Sequence, residues 1–499
     1  MTQTTNALPE ALYSAAQVAA FDQRLINDFG VPGFTLMQRA AAAAYSALKR
    51  RWPYARRLCV FCGPGNNGGD GYLIGKLALE AGQQVRLISM VAASSLHGDA
   101  ARARAAFEAV GGQVEAFVAA PVDADVVIDG LLGTGLSRDV AGHYAAAIAR
   151  INTAHAAGTG VLAIDIASGI DATTGRRWAT AVYADITVSF IGLKLGLFTG
   201  AGSGHCGVVV FDDLQAPHDL YAGSEPLARR ISDGLRKRLL PPRPNDAHKG
   251  DFGHVLCIGG NQGLGGSIRM SAEAALRTGA GLVSVACHPD HAAAMSQARP
   301  ELMCRGVADD HQALQCLLEG ASVVALGPGL GADGWADNCY AQALASAGPL
   351  VVDADALNRL AKQPRARGNW VLTPHPGEAA RLLETDTHAV GADRGECARI
   401  LAQRYDAVVV LKGAGTLVAT PQGVWLCTAG NPGMASGGMG DLLTGLIAAL
   451  IAQGLTLADA AVLGVWLHAR AADYVAGVHG ERGLLATDLL LQLMHLVNP

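Results

Sequence analysis

Charged residues are scarce in this 499-residue sequence: Asp, Glu, Lys and Arg make up only 16% of it, and the formal net charge is −5. No block of lysines and arginines stands out, which argues against a nucleic-acid partner, because nucleic-acid binding needs a clustered basic face. Half of the residues are hydrophobic, so the chain can bury large cores. Its length predicts two or three domains.

Long apolar runs are also missing. No apolar stretch reaches the roughly 18 residues that cross a bilayer. Residues 1–10 lack the basic and apolar regions of a signal peptide. We therefore expect a cytoplasmic protein that has no membrane partner.

Paired cysteines are rare as well. The ten cysteines mostly stand singly in apolar contexts, as reduced core thiols do in cytosolic proteins. Cys59 and Cys62 match C-x-x-C, but they lie in a strand-like run, where their odd spacing puts the two side chains on opposite faces. We do not expect a redox or metal site there.

Short apolar runs alternate with helix-like segments over residues 57–212. This pattern predicts an α/β domain, a Rossmann-like doubly wound sheet of buried parallel strands. The predicted strands are 58–62, 85–90, 125–129, 161–165 and 207–211, and the predicted helices are 14–24, 35–51, 71–81 and 97–110.

A second α/β alternation follows a polar, proline-containing joint. Its predicted strands are 254–260, 282–286, 322–327, 350–355, 370–374, 407–413 and 416–420, and its predicted helices are 267–278, 438–453 and 457–476. We therefore expect one domain over residues 1–225, a linker over 226–240 and a second domain over 241–499.

The strongest single motif is the glycine-rich segment 431–441, NPGMASGGMGD, which leads into an apolar helical pattern. Its small residues let backbone N–H groups approach a phosphate, and the helix start adds a positive dipole end. An aspartate there is unfavourable for anion binding unless it has another task. Asp441 can take a proton from an attacking hydroxyl group. The alternative is a glycine-rich turn in which Asp441 only caps the helix.

Four more loops follow strands of the same half. They are GGNQGLGG (259–266), GPGLG (327–331), TPHPGE (373–378) and KGAGT (412–416). Because strand ends of an open α/β sheet share one crevice, these loops are expected to converge on one nucleotide site. The G-x-x-x-x-G-K-[ST] pattern is absent, so this is not a P-loop. His375 alone would be interpreted as structural, but its neighbours favour a role in the site.

Taken in order with DADAL (353–357), these motifs resemble the ribokinase-like fold and, within it, the ADP- or ATP-dependent NAD(P)H-hydrate dehydratase family, over residues 240–499. The resemblance implies a catalytic Asp441 and Mg²⁺ that accompanies ADP or ATP. It also implies cofactor contacts at Ser267, Gly329, His375 and Asp441, and nucleotide contacts at Lys412, Gly413, Ala414, Gly415, Thr416 and Gly440. Ser267 stands where relatives commonly have alanine.

The segment CGPGNNGGDG (62–71) follows the first strand of the other half. It contains G-x-G-x-x-G, but the second strand does not end in the acidic residue of a dinucleotide site, so an ordinary NAD dehydrogenase is disfavoured. Asp129 and Asp165 close two further strands, and DGLLGTGLSRD (129–139) adds a glycine loop. Oxygen ligands without cysteine or histidine suit a hard cation. The alternative is that these segments are surface turns whose polar side chains only cap neighbouring backbone groups.

Together these segments resemble the NAD(P)H-hydrate epimerase family (YjeF N-terminal domain), over residues 10–220. The resemblance implies a K⁺ ion held by Asn67, Asp129 and Ser168, and Asp165 as the candidate acid/base. It implies substrate contacts at Asn66, Asn67, Gly68, Gly69, Asp70, Gly133, Thr134, Gly135, Leu136, Ser137, Arg138, Asp139 and Asp165. Ala167 stands where relatives usually have proline, and Gln38 stands where an acidic residue is common.

The two resemblances imply one repair process. Its substrate is NADH or NADPH that has added water across the nicotinamide C5–C6 bond. One domain interconverts the R and S epimers at C6, and the other dehydrates the S epimer at the expense of ADP or ATP. We expect a homo-oligomer that binds these small molecules. Two other interpretations stay open: a kinase for a small alcohol, and an N-terminal half that binds a ligand without turnover.

Overall fold

The computed structural model describes residues 8–308 and 311–498. The chain forms two compact units, Met1–Arg229 and Arg230–Pro499, whose border falls within residues 226–240. That segment has regular structure, a strand at Ala228–Arg230 and a helix at Gly234–Leu239. It is ordered because Ile231 and Leu235 are buried in the core of the second unit.

The first unit is α/β. Its strands are β1 (Ala11–Leu12), β2 (Arg57–Cys62), β3 (Gln84–Ser89), β4 (Val114–Ala116), β5 (Val126–Gly130), β6 (Gly160–Ile164), β7 (Ile186–Phe190), β8 (Val208–Asp212) and β9 (Ala228–Arg230). Its helices are α1 (Ala15–Asn27), α2 (Gly33–Arg51), α3 (Asn66–Glu80), α4 (Gly98–Ala109), α5 (Gly142–Ala156) and α6 (Gly202–His205).

The strand order of the first unit determines where a ligand can bind. The parallel sheet runs β4-β3-β2-β5-β6-β7-β8, which confirms the predicted doubly wound class. The order reverses between β2 and β5, and doubly wound sheets bind ligands in the crevice at such a reversal. Residues 66–70 follow β2 and residues 131–139 follow β5, so the two glycine-rich segments flank this crevice.

Helix α3 begins at Asn66, five residues before the predicted start at position 71. NNGGD therefore forms the first turn of the helix and is not a loop. Glycine makes this possible, because a Cβ at Gly68 would lie 2.0 Å from the Gly63 carbonyl oxygen. The close approach brings the helix start against the end of β2.

The second unit is also α/β. Its strands are β10 (His254–Ile258), β11 (Leu282–Cys287), β12 (Met303–Gly306), β13 (Val323–Leu326), β14 (Leu350–Val352), β15 (Trp370–Leu372), β16 (Val408–Leu411), β17 (Thr416–Thr420) and β18 (Gly423–Cys427). Its helices are α7 (Gly234–Leu239), α8 (Gly265–Thr278), α9 (Pro289–Ala298), α10 (His311–Glu319), α11 (Gly334–Ala345), α12 (Ala354–Lys362), α13 (Pro376–Leu383), α14 (Thr387–Ala392), α15 (Arg394–Tyr405), α16 (Met439–Ala452), α17 (Leu457–His479) and α18 (Leu489–Leu496).

The sheet of the second unit runs β18-β17-β16-β15-β14-β13-β10-β11-β12. Strands β16 to β12 in this order are parallel, whereas β16, β17 and β18 pair antiparallel. The carboxyl ends of β10, β13, β14, β15 and β16 are therefore neighbours along one edge. The sequence-predicted loops 259–266, 327–331, 373–378 and 412–416 all start at that edge.

Helix α16 carries Asp441 into this edge. Most of its residues are buried, and it packs closely on α8, because a Cβ at Gly445 would lie only 1.8 Å from the Ser271 carbonyl oxygen. Although α16 is strongly apolar, no helix in the described part of the chain is long and apolar enough to cross a membrane.

Candidate active sites

Asn67, Asp129 and Ser168 meet at the carboxyl ends of β2, β5 and β6. The Ser168 hydroxyl donates to one Asp129 carboxylate oxygen at 2.6 Å, and the Ser168 backbone N–H donates to the other at 2.8 Å. The Asn67 amide donates to the Leu132 carbonyl at 3.1 Å, and the Ser168 hydroxyl lies 3.1 Å from the same carbonyl. Asn67 Oδ1 is buried and has no hydrogen-bond partner among the described residues.

This cluster of oxygens lacks a positive charge. Burial raises the pKa of Asp129 to about 6, although the hydrogen bonds from Ser168 and the Leu131 N–H oppose that shift. A cation beside Asp129 would favour its ionised form, and the unpartnered Asn67 oxygen would gain a partner. The donors are an amide, a carboxylate and a hydroxyl oxygen, which suit a hard cation such as K⁺. The residues present therefore fit the ion that the sequence resemblance implies.

Asp165 and Lys194 form the second part of this site. Asp165 follows β6 with a φ of 66°, a backbone conformation that aspartate adopts only occasionally. Its Oδ1 contacts the Lys194 ammonium and accepts from the Phe190 N–H at 3.2 Å. The Lys194 side chain is 0% exposed and that of Asp165 is 20% exposed. The carboxylate, and not the ammonium, is therefore accessible from the crevice.

The other predicted epimerase residues fall into two groups. Asp70 is buried with Asn67, Gly68 and Gly69 in the first turn of α3, whereas Asn66 is exposed. Gly133 lies against Asn67, because a Cβ there would be 3.3 Å from the Asn67 Cβ. Residues 134–139 are half-buried or exposed, and within the described chain none of their side chains hydrogen-bonds to the other predicted site residues.

Sequence reasoning missed two charged residues of this region, Lys194 and Asp22. Lys194 stands alone among the apolar residues of FIGLKLGLF (190–198), which is unusual for a lysine and is a usable signal. Asp22 lies on α1, and its charge interacts with those of Asp165 and Lys194. Burial raises the pKa of Asp70 well above its ordinary range, and the Asp165 and Asp22 carboxylates raise it further.

An ion pair forms the centre of the second site. The Lys412 ammonium donates to the Asp353 carboxylate at 2.6 Å and lies 3.8 Å from Glu378 Oε2. The Thr444 hydroxyl donates to the other Asp353 oxygen at 2.9 Å. Burial alone would lower the pKa of Lys412, but Asp353 and Glu378 raise it above its usual value. Burial likewise opposes ionisation of Asp353, but Lys412 brings the pKa of that carboxyl below its usual value.

Asp441 lies in the first turn of α16, near this ion pair and beside the Ser267 hydroxyl. Burial raises the pKa of Asp441, and the Asp353 carboxylate raises it further, although Ser267 and Lys412 oppose the shift. A Cβ at Gly440 would lie 3.2 Å from Lys412 Nζ, and one at Gly329 would lie 3.2 Å from the Ser267 Cβ. The structure thus brings these predicted residues together.

His375 is the N-cap of α13. Its Nδ1 accepts from the Gly377 N–H at 2.9 Å and the Glu378 N–H at 3.3 Å, while Glu378 accepts from the His375 N–H at 2.8 Å. Burial lowers the pKa of His375, and the Lys412 and Arg381 charges lower it further. A neutral imidazole is what this capping arrangement requires, because a protonated Nδ1 cannot accept. His375 can therefore cap α13, as the structural interpretation holds, and also lie beside the site.

The KGAGT segment is an exposed loop whose backbone is held by the Arg394 side chain. Gly413 and Ala414 are exposed, and the Thr416 hydroxyl donates to the Gly413 carbonyl at 2.9 Å. The buried Arg394 guanidinium donates to the carbonyls of Leu411, Lys412 and Gly415 at 3.3–3.4 Å. Sequence reasoning missed Arg394 and Asp353. The sequence pattern puts Asp353 inside a predicted strand, 350–355, which in the structure ends at Val352.

His468 is a further buried titratable residue near this site. It lies on α17, and burial, followed by the Lys412 charge, lowers its pKa to about 4. Its Nε2 has no hydrogen-bond partner among the described residues. Nothing in its local sequence, VWLHARAA, distinguishes it from a structural core histidine.

The fold and the sites define a class: two α/β enzyme units joined in one chain, the second with a buried lysine and carboxylates at a glycine-rich helix start. Comparison with known proteins agrees. The family model described as NAD(P)H-hydrate dehydratase matches residues 255–494, and the model of the YjeF-related protein N-terminus matches residues 33–196.

Full-length relatives share both units. The bifunctional NAD(P)H-hydrate repair enzyme of Coxiella burnetii is 46% identical over 98% of this chain and 99% of its own length. That of Escherichia coli is 42% identical over 99% of this chain and 95% of its own length. A solved ribokinase-like superfamily protein from Enterococcus faecalis is 29% identical, with a TM-score of 0.51, and covers 54% of this chain and 94% of its own.

The chain therefore belongs to the family of bifunctional NAD(P)H-hydrate repair enzymes. Its first unit is the epimerase and its second unit is the dehydratase, which confirms the function predicted from the sequence. The two other interpretations, a kinase for a small alcohol and a non-enzymatic N-terminal half, do not explain relatives that share the whole chain under one bifunctional name.

Proposed function

We propose that Asp441 is the general base of the dehydratase unit. It takes the proton of the C6 hydroxyl group, whose oxygen then attacks the terminal phosphoryl group of ADP or ATP and releases AMP or ADP. Phosphate then leaves from C6 as C5 loses a proton, and the dihydronicotinamide is restored. Phosphorylation is needed because hydroxide is a poor leaving group.

One observation carries this proposal: Asp441 lies at the glycine-rich start of α16, close enough to Lys412 for the two charges to interact. Lys412 is protonated and can stabilise the transferred phosphoryl group. Its partner Asp353 is occupied by that lysine and by Thr444, so Asp353 is not the free base. Among the described residues Asp441 has no such ion-pair partner at contact distance, and burial raises its pKa, which makes the carboxylate a stronger base.

Magnesium enters this proposal with the nucleotide. Asp353, Glu378 and Asp441 surround one lysine, and this surplus of carboxylates fits a divalent cation that the nucleotide phosphates also hold. When bound, the ion neutralises charge on the phosphoryl oxygens.

Substitution of Asp441 tests the assignment. We expect Asp441→Asn to lower dehydration of the S epimer by about 10²–10⁴-fold, the usual effect of losing a general base, while the Kd for ADP and ATP stays unchanged. Asp246→Asn, at an exposed loop position, is the control and should match the wild type. Normal turnover of the Asp441 variant would contradict the assignment. Free phosphate should appear only with the hydrated cofactor, whereas a small-alcohol kinase would leave a phosphorylated product.

For the epimerase unit we propose that K⁺ is held by Asn67, Asp129 and Ser168 and that Asp165 is an acid/base group for inversion at C6. The unpartnered Asn67 oxygen and the buried Asp129 support the ion. The Asp165 carboxylate supports the chemical role because it is 20% exposed, whereas that of Asp353 is 2% exposed and is also held by Thr444.

These two assignments are separable by experiment. Asp165→Asn should stop consumption of the R epimer in the presence of K⁺. Asp129→Asn should instead abolish the difference in rate between K⁺ and Na⁺ buffers. Asp123→Asn, whose side chain is 86% exposed, is the control for both. An Asp129 variant that keeps its K⁺ stimulation would exclude this cation site.

A further inference from the structure

Asp22 lies on the buried face of α1, a helix that precedes residues 33–196 matched by the epimerase family model. Val18, Phe21 and Leu25 of this helix are 5%, 1% and 1% exposed, and helical spacing puts Asp22 on the same face. A carboxylate on such a face is unfavourable unless it has a task or a partner. In the described part of the chain, its interactions are with charges and not with hydrogen-bond donors.

The same face of α1 packs against the segment that carries Lys194. The Tyr13 N–H donates to the Leu193 carbonyl at 2.8 Å, and the Leu195 N–H donates to the Tyr13 carbonyl at 3.0 Å. A Cβ at Gly192 would lie 3.0 Å from both Tyr13 Cδ2 and Val18 Cγ2. These contacts fix the chain on both sides of Lys194. They also bring the start of α1 to the site.

Asp22 interacts electrostatically with both members of the Asp165–Lys194 ion pair, and Asp70 interacts with the Asp165 and Asp22 carboxylates. Burial, and after it the Asp165 carboxylate, raise the pKa of Asp22 to about 6, although Lys194 opposes the shift. Asp165 contacts the ammonium directly and Asp22 does not. The two carboxylates therefore have different environments, and such a difference is how one site holds both an acid and a base.

An inversion at C6 needs both an acid and a base. C6 of the hydrated ring carries a hydroxyl group and the ring nitrogen N1, so it is a hemiaminal carbon. Such a carbon inverts when the ring opens to an aldehyde and an N–H group and then closes on the other face. Opening takes a proton from the hydroxyl oxygen and gives one to N1.

We propose that Asp22 is the second acid/base group of the epimerase, and this rests on the role proposed above for Asp165. Asp165 accepts the proton of the C6 hydroxyl while Asp22 gives its proton to N1 and the C6–N1 bond breaks. After rotation about C5–C6, N1 attacks the other face of the aldehyde. The N1 proton returns to Asp22, and Asp165 returns its proton to the oxygen. The cycle consumes no co-reactant.

The test uses the whole chain and pure R hydrate, with recovery of dihydronicotinamide absorbance through the dehydratase of the same molecule. We expect Asp22→Asn to slow R-epimer consumption by about 10²-fold and to leave dehydration of the S epimer unchanged, which also shows that the chain is folded. Asp28→Asn, just beyond the end of the same helix with a side chain 63% exposed, is the matched control.

The pH profile separates a chemical from a structural role. Wild-type kcat/KM for the R epimer should fall above pH about 6, as Asp22 loses the proton that it donates. The Asp22→Asn profile should be slow and lack that fall, whereas a packing defect would lower the rate and keep the profile. A wild-type rate in Asp22→Asn, or an unchanged profile, overturns the proposal for Asp22. If Asp165→Asn also keeps full activity, the site proposed above is wrong as well.

Discussion

At the scale of single residues, the ionisation of the buried Lys412–Asp353 pair determines the charge of the dehydratase site. Because the fold lowers the pKa of Asp353 and raises that of Lys412, each charge stabilises the other. The Asp353 contribution is lost as pH falls below its unfolded value of about 3.9, and the Lys412 contribution is lost as pH rises above about 10.4. Between those limits the pair is fully charged.

Removing both members of this pair should cost less than the two single removals added together. Asp353→Asn removes the closer of the two carboxylates that pair with the buried lysine and leaves only Glu378, at 3.8 Å. The cost should approach the about 3–5 kcal/mol that breaking a buried pair typically costs. The double variant Asp353→Asn/Lys412→Met should be less destabilised than the sum of the single variants, as contacting residues are coupled. Calorimetric unfolding of the four proteins measures this, using the transition that nucleotide shifts in the wild type. Additive effects would show that the pair contributes no coupling energy.

Arg394 should affect nucleotide binding without touching the nucleotide. Its guanidinium donates to the carbonyls of Lys412 and Gly415 in the KGAGT loop and to that of Leu411 just before it, and so holds the loop in place. We expect Arg394→Lys to raise the KM for ADP and ATP about tenfold with little change in kcat, because a lysine cannot reproduce the planar donor geometry. Arg399→Lys on the same helix, 47% exposed, is the control. A change confined to kcat would argue against a role in holding the loop.

Residues that belong to a contiguous motif can be predicted from the sequence, and others cannot. Asn67 and Asp129 each lie at or just after the end of a strand, so the rule that strand ends share a crevice is enough to group them. Ser168 joins them in the prediction only through the family resemblance. Lys412 and Asp353 are partners separated by 59 positions, and Lys194 and Asp165 by 29. No local pattern specifies such pairs, because each is created by strand order, which the sequence does not display.

At the scale of elements, the crossing of α16 and α8 positions Asp441 beside Ser267. The two helices touch at Gly445, where a Cβ would meet the Ser271 carbonyl at 1.8 Å. We expect Gly445→Ala to destabilise the second unit by about 1–3 kcal/mol through overpacking, and to lower dehydratase activity by moving Asp441. Thermal unfolding and turnover of the S epimer measure the two effects.

A second helical glycine gives the matched control for this substitution. A Cβ at Gly477 on α17 would have no atom within 4 Å. Gly477→Ala should therefore be neutral or stabilise by up to about 1 kcal/mol, as expected when alanine replaces a helical glycine without a clash. Equal losses in both variants would mean that helix propensity, and not the crossing, governs the response.

Strands show why part of the fold cannot be predicted. Most central strands are continuous apolar runs and are predicted correctly, as parallel strands buried on both faces usually are. The pattern misses β7, although all five of its residues are buried, because Thr187 and Ser189 interrupt its apolar run. The sequence pattern misses β4 and β12, which lie at the ends of their sheets and are half-exposed, with the patterns VEA and MCRG. An edge strand buries too little surface to need an apolar run, so its sequence does not differ from that of a loop.

At the scale of the whole molecule, the expected homo-oligomer stays a prediction. Light scattering of the intact chain should give a mass that is a multiple of one chain. A single-chain mass at micromolar concentration would contradict it.

The two activities of the chain should be separable by substitution, and together they should repair both epimers of the hydrated cofactor. Hydration of the nicotinamide ring gives both C6 epimers, and a dehydratase specific for one of them would leave the other behind. With a mixed hydrate, Asp165→Asn should therefore stop after the S epimer is consumed, and Asp441→Asn should restore no cofactor. An equimolar mixture of the two variants should recover all of it, because the epimer that one site releases is a small molecule that can diffuse to the other. Recovery can be followed by dihydronicotinamide absorbance.

The contrary outcome would be a mixture that stalls where Asp165→Asn alone stalls, while the wild type goes to completion. In that case the epimer must be passed on within one molecule. The fusion would then have a function beyond bringing the two enzymes into one gene product.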